Sequence, residues 1–287
     1  VAYTLHKNIR DIAVIRNSFL ALAGRVFGLS FRKWYEDGYW TDRYRPYVLL
    51  DGDRVVSCVA VNRIDLAWQD RPKRYIQLGT VMTDPAYRRR GLSRGLIETV
   101  LEEWRERCEA VYLFANDTVL DFYPKFGFER ELEYQPAVSV MPCPGKYRKL
   151  DLADRADLAI LAACYRHSNP YAAFSMTDNF ALLMFYCSDG LKDCVYFLEE
   201  FDMVVIAGWN DRKWTCFDLY GPGSLPLGDL LAMTAEPSVK EVMLGFTPKE
   251  TVAGMTGCRR SEPLFLLSDK ENLFRENRLM FPLLSHA

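Results

Sequence analysis

The sequence lacks an excess of charge of either sign. Its 36 lysines and arginines stand against 38 aspartates and glutamates, a net charge of −2. A dedicated duplex-DNA binder carries a basic excess or a long basic face, so no nucleic acid is expected as a partner. Histidine is scarce, with three at positions 6, 167 and 286, and the eight cysteines include no Cys-x-x-Cys pair. That scatter reads as reduced thiols in a cytoplasmic chain, with no metal. No apolar run approaches the roughly 18–20 residues a membrane helix needs. The N-terminus lacks the charged-then-apolar order of a secretory leader. No membrane partner is expected. A Gly-Lys-Ser/Thr phosphate loop is missing as well.

Core material is plentiful. Of 287 residues, 49% are hydrophobic and 14% aromatic, enough for one large core or two ordinary ones. The first half alternates strand and helix patterns, which predicts an α/β (α+β) chain. The expected elements are a short strand over Val1–Leu5, a helix over Ile9–Leu22 and a shorter one over Leu29–Tyr35. Strands Tyr47–Leu50 and Arg54–Val61 flank an Asp-Gly-Asp turn, a strong hairpin signal. A long strand, Tyr75–Met82, precedes an amphipathic helix whose apolar face holds Leu92, Leu96, Ile97, Val100, Leu101 and Trp104. Then follow a buried strand, Val111–Phe114, a short helix over Asp117–Lys125 stopped by Gly127, and a strand over Phe128–Tyr134.

The stretch MPCPGKYRK (141–149), with two prolines and a glycine, reads as a linker, so the expected domains are 1–142 and 150–287. The second half echoes the first. DIAVIRNSF (11–19) is similar to DLAILAACY (157–165), YVLLDGDRVV (47–56) to YFLEEFDMVV (196–205), and AVYLFANDTV (110–119) more weakly to EVMLGFTPKETV (241–252). Three matches in one order favour an internal duplication. The echo fails at GPGSLPLGDLLAMTAEPSVK (221–240), which has no arginine run, and nothing there matches Tyr123. The second half is therefore expected to be degenerate.

Within the first half, TDPAYRRRGLSRGL (83–96) packs three arginines before a glycine at a strand-to-helix junction. A helix start leaves its first N–H groups unpaired, and the macrodipole adds about half a positive charge there. Such a junction is an anion cradle. Gly91 lets the backbone approach a phosphate, Ser93 is small and can donate, and Arg88, Arg89, Arg90 and Arg94 supply charge. The density of donors suits a diphosphate better than a carboxylate.

These residues resemble a known pattern. VMTDPAYRRRGLS (81–93) is similar to the acyl-CoA motif R/Q-x-x-G-x-G/A of the GNAT superfamily of N-acetyltransferases, with Arg88 in the first position and Gly91 in the fourth. Ser93 stands where Gly or Ala is usual. NDTVLDFYPKFGFE (116–129) resembles the family's N-x-x-A-x-x-F-Y-x-x-x-G-F signature, with Val119 where Ala is usual. The resemblance covers roughly residues 1–140 and implies the GNAT fold, a mixed central sheet with splayed parallel strands flanked by helices. A second, degenerate GNAT-like domain would follow. It also implies acetyl-CoA as co-substrate, with Val81, Met82 and Thr83 holding the pantetheine and Arg88, Arg89, Arg90, Gly91, Leu92, Ser93 and Arg94 holding the diphosphate. Asn116 would either touch the pantetheine or cap the helix near Asp117, and capping is the favoured reading.

The chemistry so implied is direct attack of a primary amine on the thioester, with Tyr123 as the proton donor to the leaving thiolate. A phenol of pKa about 10 keeps its proton at neutral pH and lies close enough to a thiol of about 8.5 to share that proton with the departing sulfur. The strand RYIQLGTVMT (74–83) offers no carboxylate base. Asp65, Glu36 and Asp37 are weak candidates, and His286 or Ala287 could reach the site, although a tail packed on the second domain is the plainer expectation. WYEDGYW (34–40) is either an amine pocket or a buried hinge, with the hinge favoured. The expected acceptor is a small-molecule or peptidic amine, a homo-oligomer is allowed, and a non-catalytic acyl-CoA-binding protein is the alternative function.

Overall fold

A computed structural model describes residues 2–287. In the first half the elements are β1 (Thr4–Lys7), α1 (Ala13–Phe27), α2 (Arg32–Glu36), β2 (Tyr44–Asp51), β3 (Arg54–Trp68), β4 (Arg71–Thr83), α3 (Leu92–Trp104), β5 (Ala110–Phe114), β6 (Glu129–Glu131) and β7 (Tyr134–Ser139). In the second half they are β8 (Arg148–Lys149), α4 (Arg155–Tyr165), β9 (Ala172–Met176), α5 (Phe180–Cys187), β10 (Val195–Leu198), β11 (Met203–Asn210), β12 (Lys213–Tyr220), α6 (Leu227–Thr234), β13 (Glu241–Leu244), β14 (Thr247–Pro248), β15 (Met255–Arg259), β16 (Leu264–Leu267) and α7 (Leu273–Glu276). Val1, where a strand was expected to begin, lies outside the described residues. The first strand starts at Thr4.

Two mixed sheets result. The first runs β1-β2-β3-β4-β5-β16-β6, with β9 and β14 added at the far end of β3. The second runs β8-β10-β11-β12-β13-β7-β15. Each has a single parallel pair among the described residues, β4 with β5 and β12 with β13. Strand order and the place of the parallel pair thus repeat in the two halves, in line with the echo read from the sequence. The strand beside the parallel pair is exchanged. The first sheet takes β16 from the end of the chain, and the second takes β7 from before the linker. Both sheets therefore cross the expected boundary at 142–150.

Helix α3 forms where the apolar spacing places it. Leu92 is buried at the helix start, and Leu96, Ile97, Val100, Leu101 and Trp104 are buried in one core with Tyr47, Val59, Val61, Ile76 and Leu78 of the sheet. Each such side chain contributes about 1.5–3 kcal/mol of gross burial. Trp104 Nε1 donates to the Tyr47 hydroxyl at 2.8 Å, so both polar side-chain atoms of the pair are matched. Helix α5 (FALLMFYC) is apolar all round because it is covered on both sides. Leu182 meets one core, and Leu183, Met184 and Cys187 meet another.

Two sequence expectations fail locally. The helix over Asp117–Lys125 is instead two 3₁₀ turns, Asp117–Val119 and Tyr123–Phe126. Pro124 removes an N–H and disfavours helical backbone at the residue before it. The strand over Phe128–Tyr134 divides into β6 and β7, which join different sheets. At the parting lies Glu133, a fully buried carboxylate. Its Oε1 accepts from the Phe281 N–H at 2.7 Å, and its Oε2 lies 3.2 Å from Arg260 Nε.

Candidate functional site

The site begins with strands that part. β4 and β5 pair only over Tyr75–Ala110, Ile76–Val111 and Gln77–Tyr112. Beyond Gln77, β4 continues to Thr83 with no strand on its β5 side. An irregularity sits at the parting. Cys58 of β3 faces Met82 and Ala60 faces Gly79, so β4 carries an extra residue there. Thr80 takes a left-handed backbone, φ 47°, which is costly for a β-branched residue. The Tyr44 hydroxyl at 2.8 Å from Thr80 Oγ1 helps to hold it.

The parting opens a cavity of about 990 Å³. Its wall includes Val81, Met82, Thr83, Arg88, Arg89, Gly91, Leu92, Ser93, Arg94, Asn116 and Tyr123, so the two sequence motifs converge on one space. Gly91 begins α3 with φ 75°, and a Cβ there would meet nothing within 4 Å. The first N–H matched at this helix start is that of Gly95, which donates to the Gly91 oxygen at 3.1 Å. The N–H groups of Arg89 through Arg94 find no acceptor among the described residues. Ser93 is tied back to the strand, its Oγ lying 2.7 Å from Thr83 Oγ1, which in turn lies 2.9 Å from Ser57 Oγ. The turn before the cradle is anchored by buried Asp84, which accepts from Arg54 at 2.7 Å and from Arg25 at 3.2 Å.

Arg90 behaves differently from its neighbours. Its guanidinium stacks 4.9 Å from the Tyr87 ring and bonds the Tyr3 hydroxyl and the Ala86 oxygen, so its side chain is not on the cavity wall. The capping reading of Asn116 fails too. The 3₁₀ turn at Asp117 has no side-chain cap, and Asn116 is exposed on the cavity wall.

Four tyrosines line the cavity: Tyr44, Tyr87, Tyr123 and Tyr186. Three hydroxyls are already matched, to Thr80, to Asp51 and to the His286 oxygen. Tyr123 alone makes no hydrogen bond among the described residues. Its ring packs in the core against Phe122, Phe128 and Phe265, and burial pushes its phenol up to about 12. The side chain therefore stays protonated near neutral pH.

The far side of the cavity is built by both halves. Phe31, Trp34 and Tyr44 come from the first half, and Asn179, Ala181, Leu182, Phe185 and Tyr186 come from α5 and its start. Trp34 Nε1 donates to the Ala181 oxygen at 2.7 Å across this seam. Residues 34–40 match neither expectation in full: Trp34 alone of them lines the cavity, and Glu36, Asp37 and Gly38 are exposed rather than buried. Glu36 and Asp37 turn outward to Arg32 and Lys33. Asp65 is also away from the cavity. Burial acts to raise its carboxyl, but hydrogen bonds from Arg43 and Arg74 prevail and hold it below the ordinary range. Glu262, which the sequence reading missed, is the one carboxylate side chain on the wall among the described residues.

The tail does more than pack on the second half. Phe281 stacks on Tyr112 at 3.8 Å, His286 stacks on Phe114 at 4.0 Å, and the Ala287 N–H donates to Gln77 Oε1 at 2.9 Å. A Cβ at Gly79 would come within 2.5 Å of the Ala287 oxygen, so glycine is what admits the tail. Burial, reinforced by Arg260, pushes the His286 imidazole down to about 3, which leaves it neutral and a poor proton acceptor.

Among the described residues no helix is long and apolar enough to cross a membrane. No curated protein is significantly similar in sequence. Three solved structures are similar in fold. A conserved protein of unknown function from Enterococcus faecalis V583, a probable N-acyltransferase, aligns with TM-score 0.64 at 12% identity over 94% of this chain and 73% of its own. Eis1 from Mycobacterium abscessus aligns with TM-score 0.58 at 16% identity, covering 93% and 73%. A GCN5-related N-acetyltransferase from Kribbella flavida aligns with TM-score 0.54 at 17% identity, covering 92% and 72%. At such identities the likeness shows the fold, and it extends over both sheets. Residues 16–130 match the acetyltransferase (GNAT) domain family. That span runs from α1 to β6 and contains the parted strands, the cradle and Tyr123, so this part of the chain is similar to a GNAT acetyltransferase domain.

Proposed function

We propose that this protein is an acetyl-CoA-dependent N-acetyltransferase that moves an acetyl group directly to a primary amine. The reading is carried by one observation: the gap beyond Gln77 joins a row of unmatched amides at 89–94 to a phenol with no other partner. The residues present fit the co-substrate. Amides and the guanidiniums of Arg88, Arg89 and Arg94 suit a diphosphate. The free edge of Leu78–Thr83 suits the amides of a pantetheine arm, as a peptide adds to a sheet.

Acetyl-CoA supplies the activated acetyl thioester. The chain's part is to orient it along β4, exclude water behind Leu92 and Phe122, and hold a proton at Tyr123 Oη for the departing thiolate. The amine nitrogen forms the new C–N bond as the C–S bond breaks, the thiolate takes the Tyr123 proton, and the proton lost from nitrogen passes to solvent water, which restores the phenol; no covalent enzyme intermediate and no nucleophilic side chain are required. Incubation with acetyl-CoA and an amine panel, while free thiol is followed, tests this. Thiol should appear only with a suitable amine. Tyr123→Phe should lower turnover by more than about tenfold, a modest share of what a general acid contributes, and leave CoA affinity nearly intact. Unchanged turnover would remove Tyr123 from the mechanism. CoA binding with no turnover on any amine would favour the non-catalytic acyl-CoA-binding alternative.

A further inference from the structure

The acceptor end of the cavity has a composition that narrows the amine class. Its surface is made by Phe31, Trp34, Leu182, Phe185 and Tyr186, with Phe114 on the floor. The rings are held against one another. Phe31 and Phe185 stack at 5.5 Å, and Trp34 meets Phe185 edge-on at 5.8 Å. Because Phe31 and Trp34 lie in the first half and Phe185 in the second, the aromatic wall spans the seam between them.

The charges around this wall are already engaged. Arg43 is bonded to Asp65 at 2.8 Å and to Asp178 at 2.7 Å. Glu262 accepts from Arg260 at 2.8 Å. The other guanidiniums of the lining, Arg88, Arg89 and Arg94, belong to the diphosphate cradle; Glu262 is the one carboxylate side chain on the wall among the described residues, Ala287 also reaches the wall, and the imidazole of His286 is neutral. A second ammonium group on the acceptor would lose its hydration among aromatic rings, with no unpaired carboxylate side chain beside them to offset the loss. A flat apolar group would instead stack there and keep the amine uncharged for attack.

Building on the acetyltransferase reading, we propose that the acceptor is a monoamine carried on an aromatic or similarly flat apolar group, with no second positive charge. Polyamines and aminoglycosides are the classes it excludes. The test uses the full chain with CoA bound, and titrates 2-phenylethylamine, tryptamine, spermidine and kanamycin in a calorimeter. The aromatic monoamines should bind at least tenfold more tightly than the polycations, and with acetyl-CoA their kcat/KM should be at least a hundredfold higher. Phe185→Ala should raise KM for 2-phenylethylamine about tenfold, with CoA affinity unchanged, and the milder Phe185→Leu should move it in the same direction. Polycations that bind or react as well as the aromatic amines would overturn the inference, and so would aromatic amines indifferent to both Phe185 variants. The binding order decides even if no turnover is seen. Absence of heat from CoA itself is a separate result that overturns the acetyltransferase reading beneath it.

Discussion

The two halves share a strand order, yet one holds an open site and the other a closed seam. In the first, β4 and β5 part after Gln77 and the gap becomes the cavity. In the second, β12 and β13 pair over Thr215–Met243 and Cys216–Leu244, and the chain then stays together. The Gly245 N–H donates to the Cys216 oxygen at 2.7 Å, and a Cβ at Gly245 would lie 2.2 Å from the Phe217 oxygen. The tail seals this further, with the Leu283 N–H on the Gly245 oxygen at 2.8 Å. Both halves carry an extra residue at the matching strand, near Thr80 in β4 and near Phe217 in β12. A bulge alone therefore does not make a binding site. What differs is what fills the space beside it, and whether a long helix with a free amide start follows.

The exchange of β7 and β16 gives the most drastic way to test this pairing of halves. Residues 1–142 expressed alone should fail to fold as a soluble unit, since β5 would lose β16 and β7 would be an exposed strand without a sheet. Circular dichroism and size exclusion check it, and a compact, active fragment would show that the halves are independent. Next in size, Gly245→Ala should destabilise the chain by roughly 3 kcal/mol through overpacking against Phe217, read as a fall in denaturant midpoint. CoA affinity of the folded fraction should be unchanged. A neutral result would mean that the seam in the second half is loose.

A smaller effect is expected at the cradle. Gly91→Ala places a side chain in open space, so its cost is the left-handed backbone, about 1 kcal/mol, or roughly fivefold weaker CoA binding by titration. Arg94→Ala should weaken CoA by a similar factor, and less at high salt. The smallest effect concerns Glu133. Burial raises its carboxyl to about 7, against the lowering pull of Arg260. A carboxyl raised on folding favours the protonated folded state, so its contribution is full below its ordinary 4.5 and is lost as pH rises through about 7. Thermal melts should show stability falling over that window, and Glu133→Gln should flatten the slope. An unchanged slope would move the pH dependence to other groups.

The cradle and Tyr123 were legible in the sequence because glycine, arginines and a phenol at fixed spacings are local signals. The Asp-Gly-Asp hairpin and α3 were legible for the same reason. The strand exchange was not, because pairing β16 with β5 is a choice between distant segments of equal apolarity. Asn116 misled because a polar residue before a turn reads as a cap, and only the fold shows its side chain on the cavity wall. The acceptor wall could have been suspected from FALLMFYC, since a short helix apolar all round must be covered on both faces. The engagement of Arg43 by Asp65 and Asp178, by contrast, joins residues from both halves and leaves no trace in spacing.

The central claim is that amides at 89–94 grip the diphosphate of CoA and thereby set its sulfur end beside Tyr123. The most direct measurement is calorimetric titration of the full chain with CoA and, separately, with pantetheine, which lacks the diphosphate. The account expects CoA to bind at least a hundredfold more tightly than pantetheine. Equal affinities, or no heat from CoA at all, would contradict it.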